Sequence, residues 1–126
     1  MIGHPLETPE TIRKTIDFVK RLPVDDFKMM FLTPFPGTEL YQDAEEYGTF
    51  QRDWRKLNAY IEPCFIPYGM SKGQLIKYRN MAFWEFYLQP RIIVSYLLSI
   101  KTMKQFANII KGGIALLKLS IKKANV

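Results

Sequence analysis

MIGHPLETPE, residues 1–10, decides how the rest of the chain is read. It holds a Gly3-His4-Pro5 turn followed at once by a helix start. Thr8 is a residue that caps free helix N–H groups, Pro9 suits the first helical position, and Glu10 suits the positive end of the helix dipole. Only Met1 and Ile2 precede the turn. The opening therefore has the look of a buried strand's last residues running through a turn into a helix.

Downstream, Ile12, Ile16, Val19 and Leu22 recur at helical spacing, with Arg13, Lys14, Asp17 and Lys20 placed outward. Pro23 stops that helix. FKMMFL, residues 27–32, is a short apolar run of the kind that suits a strand buried on both faces of a parallel sheet. TPFPGT, residues 33–38, holds two prolines and a glycine in six residues and continues as neither strand nor helix. Thr38-Glu39 then opens a second helix, with Leu40, Tyr41, Ala44 and Tyr47 on its apolar side and Gly48 as its stop. The order is strand end, helix, strand, loop, helix, which is the grammar of a parallel α/β sheet or barrel. The strands at residues 1–3 and 27–32 expect neighbours on their edges and cover on their faces.

From Thr49 to Gly69 the pattern is irregular, with Trp54, Tyr60, Phe65 and Tyr68 as apolar anchors and CFIPY, residues 64–68, as a short extended segment. Ser71 caps a long helix through Leu75, Tyr78, Met81, Ala82 and Phe86, which Pro90 kinks or ends. Residues 91–121 predict one or two amphipathic helices interrupted near Gly112-Gly113.

The net charge of +6 is unevenly placed. Residues 1–85 are nearly neutral, whereas residues 86–126 carry seven Lys/Arg and no acid. Such asymmetry points to an anionic partner for the tail. The uncharged run Ile92–Ile100 is far shorter than the ~20 residues that cross a bilayer. Met103, Phe106, Ile110, Ile114 and Leu117 recur at three- and four-residue spacing, with Lys104, Lys111 and Lys118 every seven. That describes a basic amphipathic helix, suited either to a membrane interface or to packing with its lysines in solvent. In the aromatic run Phe83, Trp84, Phe86 and Tyr87 the nearest basic residues, Arg79 and Arg91, sit at the edges rather than between the rings. This disfavours a base-stacking surface for nucleic acid.

GHPLET and TPFPGTELY together resemble the late part of a radical S-adenosylmethionine barrel, most of all the class with an N-terminal cobalamin-binding domain. In that family the fifth strand ends in a motif like G-x-P-G-E-T and the sixth in one like P-x-P-G-T, each followed by a helix. Gly3, Pro5, Glu7 and Thr8 match the first motif, and Pro34, Pro36, Gly37 and Thr38 match the second. AFWEFYLQPRII, residues 82–93, resembles the helical tail that often follows these barrels. The resemblance extends from residue 1 to about residue 98. One departure is plain: Leu6 stands where the family usually has glycine, and a positive φ there would strain the turn.

The resemblance implies an α/β fold: the last βα units of an incomplete TIM-type barrel over residues 1–68, then a mainly α-helical extension over 69–126. It implies that Gly3, His4 and Glu7 lie near the methionine or ribose part of S-adenosylmethionine, and that Met30, Thr33 and Pro34 lie near the adenine. The rest of the barrel is the implied partner. The [4Fe–4S] cluster and the cobalamin would belong to that parent protein, whose three-cysteine loop has no counterpart here. On this expectation the chain is the C-terminal part of such an enzyme and inert alone. The alternative is a non-enzymatic helical module docking on an anionic membrane surface or a partner protein. A single cysteine predicts a reducing, cytoplasmic setting, and the basic tail predicts peripheral contact with the inner membrane face.

Each singled-out residue also has a plainer role. Glu7 serves equally as a carboxylate at a helix start, and His4, with no partner at metal-ligand spacing, as a turn residue. Cys64 suits a packed thiol, and TPFPGT either lines a pocket or is a rigid connection. One thiol cannot replace the three that hold a [4Fe–4S] cluster. After anaerobic reconstitution, the 126-residue chain should therefore show no absorbance band near 400 nm carrying stoichiometric iron and sulfide.

Overall fold

The computed structural model describes residues 1–53, 55 and 57–99. Trp54 and the stripe from Met103 to Leu117, with its lysines and the Gly112-Gly113 break, lie outside the described residues.

Among the described residues four helices and two short strands follow in order: α1 (Pro9–Arg21), α2 (Glu39–Tyr47), β1 (Gly48–Phe50), β2 (Phe65–Pro67), α3 (Lys72–Tyr87) and α4 (Pro90–Ser99). Three of the helices begin where side chains satisfy free N–H groups. The Thr8 hydroxyl accepts from the Thr11 N–H at 3.3 Å while the Thr11 hydroxyl accepts from the Thr8 N–H at 2.9 Å, so each residue caps the other. Thr38 caps α2 by accepting from the Tyr41 N–H at 3.2 Å. Ser71 and Gln74 make the same reciprocal pair at the head of α3, at 2.8 and 3.2 Å. Pro90 does not kink a continuous helix: α3 ends at Tyr87, and Pro90 is the first residue of α4.

The 27–32 run is less regular than its composition predicts. Among the described residues its one ladder contact is a parallel bridge between Ile2 and Phe31. The Ile2 N–H donates to the Met30 carbonyl at 2.9 Å, and the Leu32 N–H donates to the Ile2 carbonyl at 2.8 Å. On the other side the Phe31 N–H donates to the Ala59 carbonyl at 2.8 Å.

The compact unit holding this pairing runs from Met1 to Phe86. It extends past residue 68 because α3 covers the first core: Leu75 and Ala82 are buried with Ile2, Ile12, Ile16, Met29 and Phe31. Leu32 faces the opposite way, into a second core with Ala44, Phe50, Cys64 and Phe65. Successive residues of an extended chain point to opposite faces, so Phe31 and Leu32 serve two cores. Tyr60 and Tyr68, expected as apolar anchors, are instead exposed, and the Tyr68 hydroxyl donates to the Glu45 carbonyl at 2.9 Å. A second unit begins at Tyr87 and includes α4.

β1, which the irregular sequence does not announce, pairs antiparallel with β2, Gly48 opposite Pro67 and Phe50 opposite Phe65. A Cβ at residue 48 would lie 2.2 Å from the Ile66 carbonyl oxygen, so this glycine is required by space, its backbone being extended. Glu85 ties α3 to α1: it forms an ion pair with Arg13 and accepts from Lys20 at 2.8 Å. These bonds, the Arg13 one foremost, hold the Glu85 carboxyl below the usual carboxylate range.

Two outcomes follow for stability. Gly48→Ala should cost about 1–3 kcal/mol by overpacking, seen as a lower denaturant midpoint. A carboxyl with a depressed folded-state pKa contributes stability above its unfolded value, and that stability is lost as pH falls through the folded value. Glu85→Gln should therefore lower the thermal midpoint at neutral pH, and the gap should close as pH falls below the ordinary glutamate value of about 4.3 towards the depressed folded-state value.

Candidate functional site

The parallel bridge fixes where the sequence-predicted residues lie. Ile2 and Phe31 run in the same direction, so the segments that follow them leave the pairing at the same end. Gly3, His4 and Glu7 follow one, and Thr33 and Pro34 follow the other, with Met30 accepting the Ile2 N–H. All six predicted residues therefore cluster at two neighbouring strand ends. A cavity of about 250 Å³ has Gln51, Asn58, Glu62, Cys64 and Lys72 in its wall. None of the six lines it.

The two strand ends carry matching turns. In the first, the Glu7 N–H donates to the His4 carbonyl at 3.1 Å, with Pro5 second and Leu6 third at φ +61°. In the second, the Thr38 N–H donates to the Phe35 carbonyl at 3.2 Å, with Pro36 second and Gly37 third at φ +89°. Proline followed by a residue of positive φ is the signature of a type II turn. Each turn leads directly to a threonine-capped helix. The glycine expected at the third position is present in the second turn and replaced in the first, and Leu6 adopts the left-handed conformation there, 85 % exposed. Its side chain gains little burial in return for the steric conflict.

Glu7 reinforces the first turn. Its Oε2 accepts from the Gly3 N–H at 2.5 Å and from the His4 N–H at 3.1 Å. The carboxylate thus satisfies backbone donors that a strand ending so abruptly leaves over. Both bonds fall on one oxygen. His4 is exposed and Glu7 half-buried, so both remain within reach of a ligand. The arrangement offers a carboxylate and an imidazole on a tightly fixed loop.

At the second strand end Thr33 and Pro34 are buried. The Thr33 hydroxyl donates to the Phe31 carbonyl at 3.4 Å and also bonds the Cys64 side chain. Burial pushes the Cys64 thiol up, and the Thr33 contact offsets part of this. A buried thiol held protonated is packing rather than a nucleophile. Among the described residues no group of three or more His, Cys, Asp or Glu side chains is placed to hold a metal ion.

Sequence reasoning missed Arg79. Its guanidinium lies 4.8 Å from the centre of the Phe31 ring, and its Nη1 donates to the Tyr60 carbonyl at 2.7 Å. Burial lowers its pKa. It thereby links Phe31 to Tyr60, the residue after Ala59, whose carbonyl accepts the Phe31 N–H. No local pattern marks these two contacts, because Tyr60 and Phe31 are 19 and 48 residues away in sequence.

Known proteins bear on this geometry. The chain is 33% identical over 95 residues to an uncharacterized methyltransferase of Pyrococcus horikoshii, covering 75% of this chain and 20% of that protein. It is 26% identical over 123 residues to bacteriochlorophyllide d C-8(2)-methyltransferase of Chlorobaculum tepidum, covering 89% of this chain and 27% of that protein. The chain thus spans only about a fifth to just over a quarter of the length of these curated relatives. No family model and no solved structure matches it.

Leu6→Gly tests the first turn directly. Relief of the left-handed penalty, about 1–2 kcal/mol, exceeds the added flexibility of glycine, about 0.5–1 kcal/mol. The variant should be more stable than the parent in urea denaturation.

Proposed function

We propose that this chain acts within an S-adenosylmethionine-dependent methyltransferase of the radical, cobalamin-binding class, supplying one wall of the S-adenosylmethionine pocket. In this reading residues 1–68 are late βα units of a TIM-type barrel whose other strands lie outside the 126 residues. The observation that carries it is the parallel Ile2–Phe31 pairing, which sets two proline turns side by side at one end of the strands. Barrel enzymes place their chemistry at the C-terminal ends of strands. The likeness to two methyltransferases supports the reaction class.

Within that pocket, Glu7 is the group suited to an ammonium. One of its oxygens holds the Gly3-His4 loop, so the carboxylate is fixed before the ligand arrives, which lowers the ordering cost of binding. Its role is to accept from the amino group of the methionine moiety, with His4 beside it. The Met30–Pro34 stretch is the flank for the adenine, and burial of its residues 31–34 keeps it rigid. S-adenosylmethionine supplies the methyl group or, in radical chemistry, the deoxyadenosyl group.

The residues present do not fit the iron–sulfur cluster that radical chemistry requires. A single buried thiol is the only cysteine ligand available. No step through the cluster or the cobalamin is assigned to this chain, and both belong to the remainder of the proposed enzyme.

The test uses the complete reading frame in which these residues occur. It should encode a C-x-x-x-C-x-x-C motif upstream, and the purified protein should bind S-adenosylmethionine in equilibrium dialysis. Glu7→Gln should weaken that binding about tenfold, the equivalent of one charge-assisted hydrogen bond. Leu6→Gly should leave it unchanged. A complete protein that binds no S-adenosylmethionine, or a Glu7→Gln variant that binds it as the parent does, would contradict the reading.

A further inference from the structure

The outer face of α4 is apolar. Ile93, Val94, Leu97 and Leu98 are 43%, 51%, 58% and 78% exposed. At 100° per residue these four span one continuous face of the helix. Ile92, on the opposite side, is fully buried, and Ser95 beside it is half-buried. Leu88, just ahead of the helix, is 62% exposed. A surface helix of a water-soluble domain shows the reverse, with polar residues outward, and contiguous exposed apolar patches mark interaction sites.

Charge says what covers it. Arg91 stands at the head of α4, and from Phe86 to the last residue there are seven Lys/Arg and no acid. An apolar partner face alone, such as a second copy of this helix, would bring these cations together. An anionic lipid surface meets both features, because acyl chains accept the leucines and headgroups attract the cations. No helix among the described residues is long and apolar enough to cross a membrane, so the fitting geometry is a helix lying in the interface.

We infer that α4 docks this chain on an anionic bilayer through Ile93, Val94, Leu97 and Leu98, with the net positive charge of the acid-free sequence from Phe86 onward supplying the attraction to the headgroups. The inference is independent of the pocket reading above, and it concerns a different unit of the chain. It gives the exposed leucines an occupant and the acid-free stretch a counter-charge.

Vesicle flotation with the full 126-residue chain tests it. Vesicles of phosphatidylcholine mixed with phosphatidylglycerol should carry the chain, and vesicles of phosphatidylcholine alone should carry much less. The double substitution Leu97→Ser/Leu98→Ser removes exposed side chains only, so far-UV circular dichroism should be unchanged. It should weaken partitioning into the anionic vesicles by about tenfold or more, from the lost burial of two leucines. Equal flotation of variant and parent would overturn the role of the α4 face. Equal binding to both lipid types would overturn the charge argument. Failure to float overturns the inference outright, and a concentration-dependent dimer abolished by the double substitution would then assign the face to a second copy.

Discussion

One residue's backbone carries the arrangement at the strand ends. Ile2 has its N–H on the Met30 carbonyl and its carbonyl on the Leu32 N–H. Through those two bonds the start of the chain becomes a parallel neighbour of the Phe31 segment. Phe31 in turn donates to Ala59, so three separate stretches lie edge to edge. Burial makes these bonds matter: an unpaired backbone donor or acceptor in the interior costs about 1–3 kcal/mol, and both Ile2 and Phe31 are fully buried. The α1 and α3 side chains close over Phe31, and the second core closes over Leu32.

The paired turns show how closely the two strand ends follow one design. Each uses proline to set the approach, a left-handed residue to reverse the chain, and a threonine to launch a helix. Leu6 is the exception, and the structure accommodates it by leaving the side chain in solvent. Strain tolerated in a surface loop is commonest where the loop has a task beyond connection. Glu7 shows the same doubling. It is the bland helix-start carboxylate of the sequence reading and also the clamp on Gly3 and His4. A carboxylate so restrained is the better ligand for a cation, so its structural role serves the proposed one.

The helix starts were legible in the sequence because capping is local. Thr8, Thr38 and Ser71 each find their partner three residues on. The stop at Gly48 was legible for the same reason, but its second duty, making room for the Ile66 carbonyl, depends on a strand partner 18 residues away. Non-local contacts leave no periodic trace, and so β1, the Glu85 link to α1 and the Arg79–Phe31 contact were invisible. The strand at 27–32 was overestimated because an apolar run reports burial, whereas a ladder needs a paired backbone. Of the site, the residue types and the left-handed Leu6 came from motif resemblance. Their meeting at one end came only from the parallel bridge.

The clustering of the two strand ends depends on that bridge being present in solution. Native-state hydrogen exchange, read residue by residue by NMR, measures it most directly. The Ile2, Phe31 and Leu32 amides should be protected together and should lose protection together as denaturant is raised, as members of one cooperative unit. Exchange of the Ile2 and Leu32 amides at the rate of an unstructured peptide, with α1 and α3 still protected, would contradict it.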